Sequence, residues 1–357
     1  MSNQEYRLKD SSGFDALILH KSTEIPQPGR GEVQIKFHAC SLNYRDLVIS
    51  KGEYVAPVKK NVVPGSDGAG EITAVGEGVK QFKVGDRVSP NFSLDYIGGK
   101  LTEEAATSGM GGDVDGCLRH YGVFPALSCV KIPISLSYEE AATLPCAALT
   151  AWNALFGLPN KQLRLSQTVL VQGTGGVSIF GAQFALAAGA KVILTSSSNE
   201  KITFIKKYLG EKNVSTINYK EIPEWGKKAK EISDDGKGVD HILDVGGAKT
   251  LKQSLEAIAF NGSVNAIGFL ARNKKDDESS SIGDNDTSMY ALKKNVTLRG
   301  IQVGSVEQFN EMTRAIDMHQ IKPLIDKVFK FEDLKSAYEH QWSQQHIGKV
   351  VIKITPN

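Results

Sequence analysis

The chain has 357 residues, with 41% hydrophobic and 23% charged side chains, and its 42 basic and 40 acidic residues give a net charge of +2. This composition is typical of a globular protein, and the length predicts two domains of roughly 100–200 residues each. The balanced charge, without an arginine-rich run, argues against nucleic acid as a partner. No apolar run reaches about 18 residues, so we expect no membrane partner.

The amino-terminal residues and the cysteines indicate the compartment. The first ten residues, MSNQEYRLKD, are polar and lack the apolar core of a signal peptide. The four cysteines, at positions 40, 117, 129 and 146, form no CxxC pair. Both features predict a cytoplasmic protein with reduced thiols.

Residues 1–147 have the pattern of a β-rich domain. Apolar side chains alternate along residues 32–40, which predicts a half-buried strand. Glycines are dense over residues 65–86, and short strands between glycine turns indicate a barrel-like domain. Residues 91–116 are predicted to form loops, and Ser137, which two acidic residues follow closely, is predicted to begin a helix.

Residues 168–301 alternate between short apolar runs and helical segments, of which 200–209 and 249–259 are the clearest helices. The predicted strands are 168–172, 191–195, 214–218, 239–244, 263–267 and 296–301. Six strands joined by helices predict an α/β fold with a doubly wound parallel sheet. The polar segment 271–288 breaks the pattern and is predicted to be a solvated insertion.

A glycine turn follows the first of these strands and precedes an alanine-rich segment that is predicted to be a helix. Gly173 permits a tight turn, and Gly175 lets backbone N–H groups approach a pyrophosphate at the helix N-terminus. Ser178 replaces the third glycine of the G-x-G-x-x-G pattern. The strand–turn–helix context favours nucleotide binding over a structural turn. The cofactor-binding residues predicted here are Gly173, Thr174, Gly175, Gly176 and Val177.

Eight short stretches follow one another along the chain. They are LNYRD (42–46), PGSDGAGE (64–71), GDRV (85–88), AATLPCAALTAW (141–152), GTGGVS (173–178), VDHILDVG (239–246), GIQVGS (300–305) and HIGKVV (346–351). In this order they resemble the medium-chain dehydrogenase/reductase superfamily, and more narrowly its zinc-independent quinone-oxidoreductase-like, zinc-type alcohol dehydrogenase-like branch. The resemblance implies a Rossmann dinucleotide-binding domain over residues 148–305. It also implies a GroES-like catalytic domain over residues 1–147, completed by residues 306–357.

The resemblance also bears on a metal ion, because zinc alcohol dehydrogenases of this superfamily hold a catalytic zinc with a cysteine, a His-Glu pair and a second cysteine. The corresponding positions in this chain carry Asn43, Ser66, Asp67 and Cys146. Zinc prefers thiolate and imidazole ligands in a tetrahedral set. We therefore expect no zinc and no other metal site.

Without zinc, other groups must stabilise the oxygen that gains negative charge during hydride transfer. The candidate catalytic residues are Asn43, Tyr44 and Tyr54, which could donate hydrogen bonds to that oxygen. Each tyrosine could instead be an amphipathic packing residue. Arg45 and Asp46 could contact the candidate catalytic residues without touching the substrate, or they could form an ordinary salt bridge.

Cofactor choice depends on the residue that ends the second strand of the nucleotide domain. NAD sites usually place an acidic residue there, bonded to the ribose 2′-hydroxyl. The resemblance puts Ser196 at this position, followed by Ser197, and Tyr219 where relatives carry a tyrosine near the adenosine phosphate. Lys201 is placed to bind a 2′-phosphate, or it is an ordinary solvated helix residue. We therefore predict NADPH over NADH, with Glu200 as the counter-argument because its carboxylate could reach the ribose.

The remaining cofactor-binding residues are carried by the resemblance and by the positions of strand ends, where open α/β sheets bind ligands. These residues are Thr150, Gly246, Ile267, Gly268, Phe269 and Lys349.

The resemblance implies an NADPH-dependent reductase of quinones, enones or related carbonyl compounds, acting on a small-molecule substrate. Alternatives within the enzyme class are alcohol oxidation and enoyl-thioester reduction. A non-catalytic nucleotide-binding protein of the same fold is the alternative outside it. Relatives commonly form homodimers through the edge of the nucleotide-domain sheet, which implies an interface near residues 263–269 or 296–301.

Overall fold

The computed structural model describes residues 3–268 and 286–355. The chain divides into two compact units. The outer unit consists of Met1–Leu149 and Val303–Asn357, and the central unit is Thr150–Gln302. Within the described residues, no helix is long and apolar enough to cross a membrane.

The strands are β1 (Asn3–Leu8), β2 (Leu17–Thr23), β3 (Glu32–Ser41), β4 (Asp67–Val75), β5 (Arg87–Pro90), β6 (Tyr121–Pro125), β7 (Cys129–Lys131), β8 (Thr168–Gln172), β9 (Lys191–Ser196), β10 (Val214–Asn218), β11 (Val239–Asp244), β12 (Ile258–Ala266), β13 (Thr297–Gly300), β14 (Ile325–Lys330) and β15 (Lys349–Lys353). The α-helices are α1 (Tyr44–Ser50), α2 (Glu103–Ala106), α3 (Tyr138–Ala141), α4 (Leu149–Phe156), α5 (Gly176–Ala187), α6 (Asn199–Leu209), α7 (Trp225–Ile232), α8 (Ala248–Ala257), α9 (Asp286–Lys294), α10 (Val306–His319) and α11 (Leu334–Trp342).

The outer unit is built on a mostly antiparallel sheet with the strand order β14-β15-β3-β4-β5-β7, and β6 also pairs with β3. The predicted strand at residues 32–40 is confirmed as β3, in which Ile35 and Phe37 are fully buried. The last strand, β15, pairs with β3 so that Ile352 lies opposite Cys40. This pairing joins the two sequence-distant parts of the unit and brings the start of β15 to the end of β3.

Two connecting segments of the outer unit, the helix after Ser137 and residues 91–116, agree with the sequence-based predictions. Ser137 begins α3 through a capping box, in which its hydroxyl accepts from the Glu140 N–H and its own N–H donates to the Glu140 carboxylate. A short π-helical segment, Leu144–Ala148, then leads into α4. Residues 91–116, predicted as loops, contain the single-turn helix α2 and are otherwise irregular.

The central unit confirms the predicted parallel sheet, with the strand order β10-β9-β8-β11-β12-β13. The chain runs outward from β8 to β10 and then returns to β11 beside β8. The carboxyl ends of β8 and β11 therefore form the switch point at which such sheets bind ligands.

Among the predicted strands of the central unit, β12 differs most from its predicted bounds. Strand β12 begins at Ile258, five residues before the predicted start at 263, because the chain extends directly after α8 instead of continuing the helix to 259. A register shift opposite Val239–His241 and a left-handed Asn261 accommodate the extra length.

The prediction for segment 271–288 falls mostly outside the described residues. Residues 286–288 belong to the first turn of α9, which is helical rather than a loop.

Candidate functional site

The glycine turn of the central unit presents a helix N-terminus. Gly173 has φ +78°, a conformation that favours glycine, and its N–H donates to Thr195 O (2.8 Å). Gly175 precedes α5, and a Cβ on either glycine would meet nothing within 4 Å. Open space therefore lies at the start of a 12-residue helix, where unpaired N–H groups and the helix dipole favour an anion. These residues fit the pyrophosphate of a dinucleotide.

Ser178 and Gly181 explain the incomplete glycine pattern. The Ser178 hydroxyl donates to Gln172 O (2.6 Å), so it ties α5 to the end of β8. Gly181, one turn later, provides the close helix–sheet approach, because a Cβ there would lie 2.5 Å from Leu243 Cδ2 and 3.3 Å from Val171 Cγ1. We did not predict Gly181, although its spacing of three residues from Ser178 was visible in the sequence.

The predicted 2′-phosphate residues gather at the end of β9. Ser196 is buried, its hydroxyl accepts from Ser198 N (3.3 Å), and its carbonyl accepts from Tyr219 N (3.0 Å). Ser198 caps α6 by accepting from Lys201 N (3.3 Å), which places Lys201 in the first helical turn. Ser197 lies between them and is half-buried.

A polar network beside these residues was not predicted. Asn218 Nδ2 donates to Asn199 Oδ1 (2.9 Å) and to Glu221 Oε1 (3.0 Å), and Asn199 Nδ2 donates to the same Glu221 oxygen (2.5 Å). Two carboxylates thus follow β9 and β10 near this edge: Glu200, exposed in the first turn of α6, and Glu221, held by two amides. Glu221 follows β10 rather than β9, so inspection of the second strand alone could not find it.

At the switch point, Asp244 organises the loop after β11. Its carboxylate accepts from Gly246 N (3.1 Å), Gly247 N (3.0 Å), Thr250 Oγ1 (2.6 Å) and Ser254 Oγ (2.7 Å). These bonds fix the backbone at the predicted residue Gly246.

The other predicted contacts of the central unit are partly described. The N–H of Ile267 donates to Asp244 O (2.8 Å), so residues 267–268 lie beside the Asp244 loop. Thr150 is buried in α4. Phe269 lies outside the described residues.

In the outer unit, Asn43 and Lys349 form a buried cluster with Asp67. Lys349 Nζ donates to Leu42 O (2.8 Å) and Asn43 Oδ1 (2.6 Å), and lies 3.3 Å from Asp67 Oδ2. Asp67 Oδ2 also accepts from Asn43 Nδ2 (2.8 Å) and Ser41 Oγ (2.9 Å). Asn43 is thus held at both ends of its amide. The role of Lys349 at the cofactor stays a prediction.

The Ser66 hydroxyl links Arg45 to Asp46, in place of a direct ion pair between the two side chains. Arg45 Nη1 donates to Ser66 Oγ (2.6 Å) and Met110 O (2.6 Å), and Ser66 Oγ donates to Asp46 Oδ1 (2.6 Å). Burial raises the pKa of Asp46. Burial also works to lower the pKa of Arg45, but Tyr54 and Asp46 outweigh it and raise that pKa, so Arg45 stays charged.

The two candidate tyrosines have different surroundings. The Tyr44 ring stacks on Trp342, with centroids 6.0 Å apart and planes 2° from parallel, and burial raises the pKa of Tyr44. The Tyr54 ring lies 5.0 Å from the guanidinium carbon of Arg45. Arg45 therefore links Tyr54 to the buried polar residues, whereas the Tyr44 ring packs on Trp342.

The donors at the positions of the family zinc ligands do not fit a catalytic zinc. The Asn43 amide is bonded at both ends, and the Ser66 hydroxyl donates to Asp46. Cys146 is thus the one soft ligand at these four positions. Zinc requires deprotonated thiolate, imidazole or carboxylate ligands, and two cations already share this cluster.

Known proteins resemble the chain along nearly its whole length. Residues 29–134 match the alcohol dehydrogenase GroES-like domain family, and residues 176–318 match the zinc-binding dehydrogenase family. A zinc-type alcohol dehydrogenase-like protein of Schizosaccharomyces pombe is 51% identical over 96% of both chains. A structure of a putative alcohol dehydrogenase from Sinorhizobium meliloti is 35% identical, with a TM-score of 0.85 over 99% of this chain and 100% of that one.

More distant relatives carry names of specific activities. An acryloyl-coenzyme A reductase of Sulfurisphaera tokodaii is 29% identical over 94% of this chain and 96% of its own length. A quinone oxidoreductase of Rattus norvegicus is 29% identical over 97% of this chain and 96% of its own length.

Proposed function

Because the chain belongs to the medium-chain dehydrogenase/reductase superfamily, a family of oxidoreductases, we propose that it uses NADPH to reduce quinones, enones or related carbonyl compounds without a catalytic zinc. The observation that carries this proposal is the cluster of Asn43, Ser66, Asp67 and Lys349, where a cation and hydrogen-bond partners replace the ligand set of a metal. We also propose that the protein works in the cytoplasm.

The charges of this cluster favour an uncharged reacting group. Arg45 and Lys349 are balanced by Asp46 and Asp67, so the residues around Asn43 carry no excess charge. A charged group placed there would lose its solvation without a compensating partner. A quinone or a conjugated carbonyl meets this requirement at its reacting end.

A bound nicotinamide would supply the hydride. In the proposed mechanism, Asn43 and Tyr54 donate hydrogen bonds to the substrate oxygen as it gains negative charge. Asp67 and Lys349 hold the Asn43 amide in one orientation, so little reorganisation is needed when that charge develops. Tyr44 remains a third candidate donor through its hydroxyl, although its ring is engaged with Trp342.

The NADPH preference is supported by the end of β9. Ser196 offers a hydroxyl where NAD-binding proteins usually carry a carboxylate, and Lys201 lies in the first turn of the following helix. Glu221 opposes this preference because its carboxylate lies near the same edge, yet two amides hold it. A fixed Glu221 would repel a 2′-phosphate less than an acidic residue at Ser196 itself.

An enoyl-thioester reductase is the second candidate, favoured by the likeness to the Sulfurisphaera tokodaii acryloyl-coenzyme A reductase. The thioester carbonyl would accept the same hydrogen bonds from Asn43 and Tyr54. Alcohol oxidation is the reverse type of hydride transfer and is tested with the oxidised cofactors, NADP+ and NAD+, which accept the hydride.

We also propose a homodimer formed through β13. This strand is the last in the described sheet, so of the two predicted segments only 296–301 lies at an edge. Phe260 and Leu292, near this edge, are 70% and 76% exposed. Light scattering after size exclusion would test the assembly, and a monomeric mass would contradict it.

The function is tested by titrating the purified protein with NADPH and NADH, and then adding 1,4-benzoquinone, a 2-alkenal or acryloyl-coenzyme A. A primary alcohol is tested separately, with NADP+ or NAD+ as the hydride acceptor. The proposal predicts tighter binding of NADPH and its oxidation by the quinone or the alkenal. Oxidation by the thioester alone would favour the second candidate. Binding without turnover of any of them would favour the non-catalytic alternative.

A further inference from the structure

Arg45 contacts two irregular segments of the outer unit. We name residues 51–66, between α1 and β4, the first loop, and residues 91–120, between β5 and β6, the second loop. The Arg45 guanidinium carbon lies 5.0 Å from the ring centre of Tyr54 in the first loop. It lies 4.8 Å from the ring centre of Phe92 in the second loop.

The hydrogen bonds of Arg45 also reach both loops. Arg45 Nη1 donates to Ser66 Oγ at the end of the first loop and to Met110 O in the second loop, both at 2.6 Å. Gly112 of the second loop packs so closely that a Cβ there would lie 2.5 Å from Arg45 Nη2. One side chain on the rigid helix α1 therefore holds both loops by a ring and a hydrogen-bond acceptor on each.

Burying the Arg45 guanidinium in this way is energetically unfavourable for a residue whose only role is packing. Arg45 Nε and Nη2 are buried and have no close acceptor among the described residues other than the Tyr54 side chain, whose hydrogen bond helps to raise the pKa of Arg45. Unpaired buried donors are unfavourable, and the aromatic rings compensate only in part through cation–π attraction. A planar guanidinium can contact two rings and two acceptors at once, whereas an aliphatic side chain or an ammonium cannot.

We propose that Arg45 is a positioning residue that fixes Tyr54 and Phe92 on the substrate side of the outer unit. The proposal rests on the proposed function, in which Tyr54 donates a hydrogen bond to the substrate oxygen. Other contacts join the loops farther along, since Lys59 N donates to Gly112 O (2.8 Å) and Lys59 Nζ pairs with Asp115 (2.9 Å). The ring contact of Arg45 lies near the start of the first loop, at Tyr54.

The test compares Arg45→Met and Arg45→Lys with a matched control, Arg87→Met. Arg87 lies on β5 and also combines one aromatic contact, 4.6 Å from the Tyr138 ring centre, with one carbonyl acceptor, Leu136 O at 2.6 Å. These contacts lie outside both loops. The control therefore reports the general effect of removing an outer-unit arginine.

Two readouts are needed, amide hydrogen exchange of the loops and steady-state kinetics. We expect Arg45→Met to speed exchange in both loops and to lower kcat by about 100-fold, because misplacing a reacting group by about 1 Å has an effect of that size. The dissociation constant of NADPH should not change. Arg45→Lys should recover part of kcat and slow the exchange, and Arg87→Met should change neither readout in the loops.

Unchanged exchange in the two loops of Arg45→Met would overturn the proposal, as would an equal loss of kcat in Arg87→Met. A wild-type protein that binds NADPH but reduces no acceptor would contradict the proposed function instead. In that case the exchange comparison would still decide whether Arg45 holds Tyr54 and Phe92.

Discussion

Lys349 and Asp67 form a buried ion pair although they are 282 positions apart in the sequence, with Lys349 Nζ 3.3 Å from Asp67 Oδ2. The pairing of β15 with β3 creates this contact, and the Asn43 amide is bonded to both partners. The carboxy-terminal strand thus completes the polar cluster on which the proposed chemistry depends.

Replacing Lys349 by methionine should leave Asp67 buried and uncompensated. We expect the free energy of unfolding to fall by about 3–5 kcal/mol, the usual effect of removing one partner from a buried ion pair. Urea titration would measure the loss. Lys353→Met is the matched control on the same strand, because its contact with Glu139 is longer (3.6 Å) and partly exposed. An equal loss in both variants would contradict the importance of the buried pair.

Two glycines, Gly175 at the nucleotide turn and Gly181 in the helix that follows it, should separate effects on NADPH binding from effects on protein stability. Gly175→Ala places a Cβ in open space at a φ of −80°, so stability should change by less than about 0.5 kcal/mol. The dissociation constant of NADPH should rise about tenfold or more, because the methyl group occupies the approach of the pyrophosphate.

Gly181→Val should have the opposite profile. Its side chain would press on Leu243 and Val171, and overpacking of this kind costs about 1–3 kcal/mol. Calorimetry of both glycine variants with and without NADPH would test the pair. A Gly175→Ala protein that binds NADPH normally would contradict the placement of the pyrophosphate.

Cofactor preference should depend on Lys201. We expect Lys201→Ala to weaken NADPH binding about tenfold and to leave NADH unchanged, since a charge-assisted bond to phosphate contributes about 1.5–3 kcal/mol. Lys207→Ala, on the same helix but in its last turn, is the control. Glu221→Gln should strengthen NADPH binding by removing a nearby negative charge. Equal losses for both cofactors in Lys201→Ala would contradict a 2′-phosphate contact.

The stability of the outer unit should fall at alkaline pH. Burial raises the pKa of Cys129 from 9.0 to about 12, so the folded protein binds a proton that the unfolded chain releases above pH 9. The stabilisation is complete below pH 9 and is lost as pH rises towards 12, at about 1.4 kcal/mol per pH unit. Urea midpoints between pH 8 and 11 would measure this slope. Cys129→Ala should have a shallower slope, and an unchanged slope would contradict the assignment.

The sequence predicted the parallel sheet well because each strand there is a short apolar run between helices, and β8, β10 and β11 have the predicted bounds. It named Arg45 only as a possible supporting residue or salt-bridge partner of Asp46, and it missed Glu221 and Gly181, because such roles come from tertiary contacts. Arg45 is one polar residue in a motif until the two loops fold around it, and Glu221 meets Asn199 only when β9 and β10 pair. Gly181 was missed because Ser178 ended the pattern that was searched.

Zinc-independent reduction is tested most directly by the metal dependence of turnover. Protein treated with a strong chelator, and shown by elemental analysis to be free of zinc, would be mixed with NADPH and 1,4-benzoquinone or a 2-alkenal while absorbance of the reduced nicotinamide is followed. Zinc-independent hydride transfer predicts an undiminished rate that added zinc does not raise. Turnover that appears only when zinc is restored would contradict it.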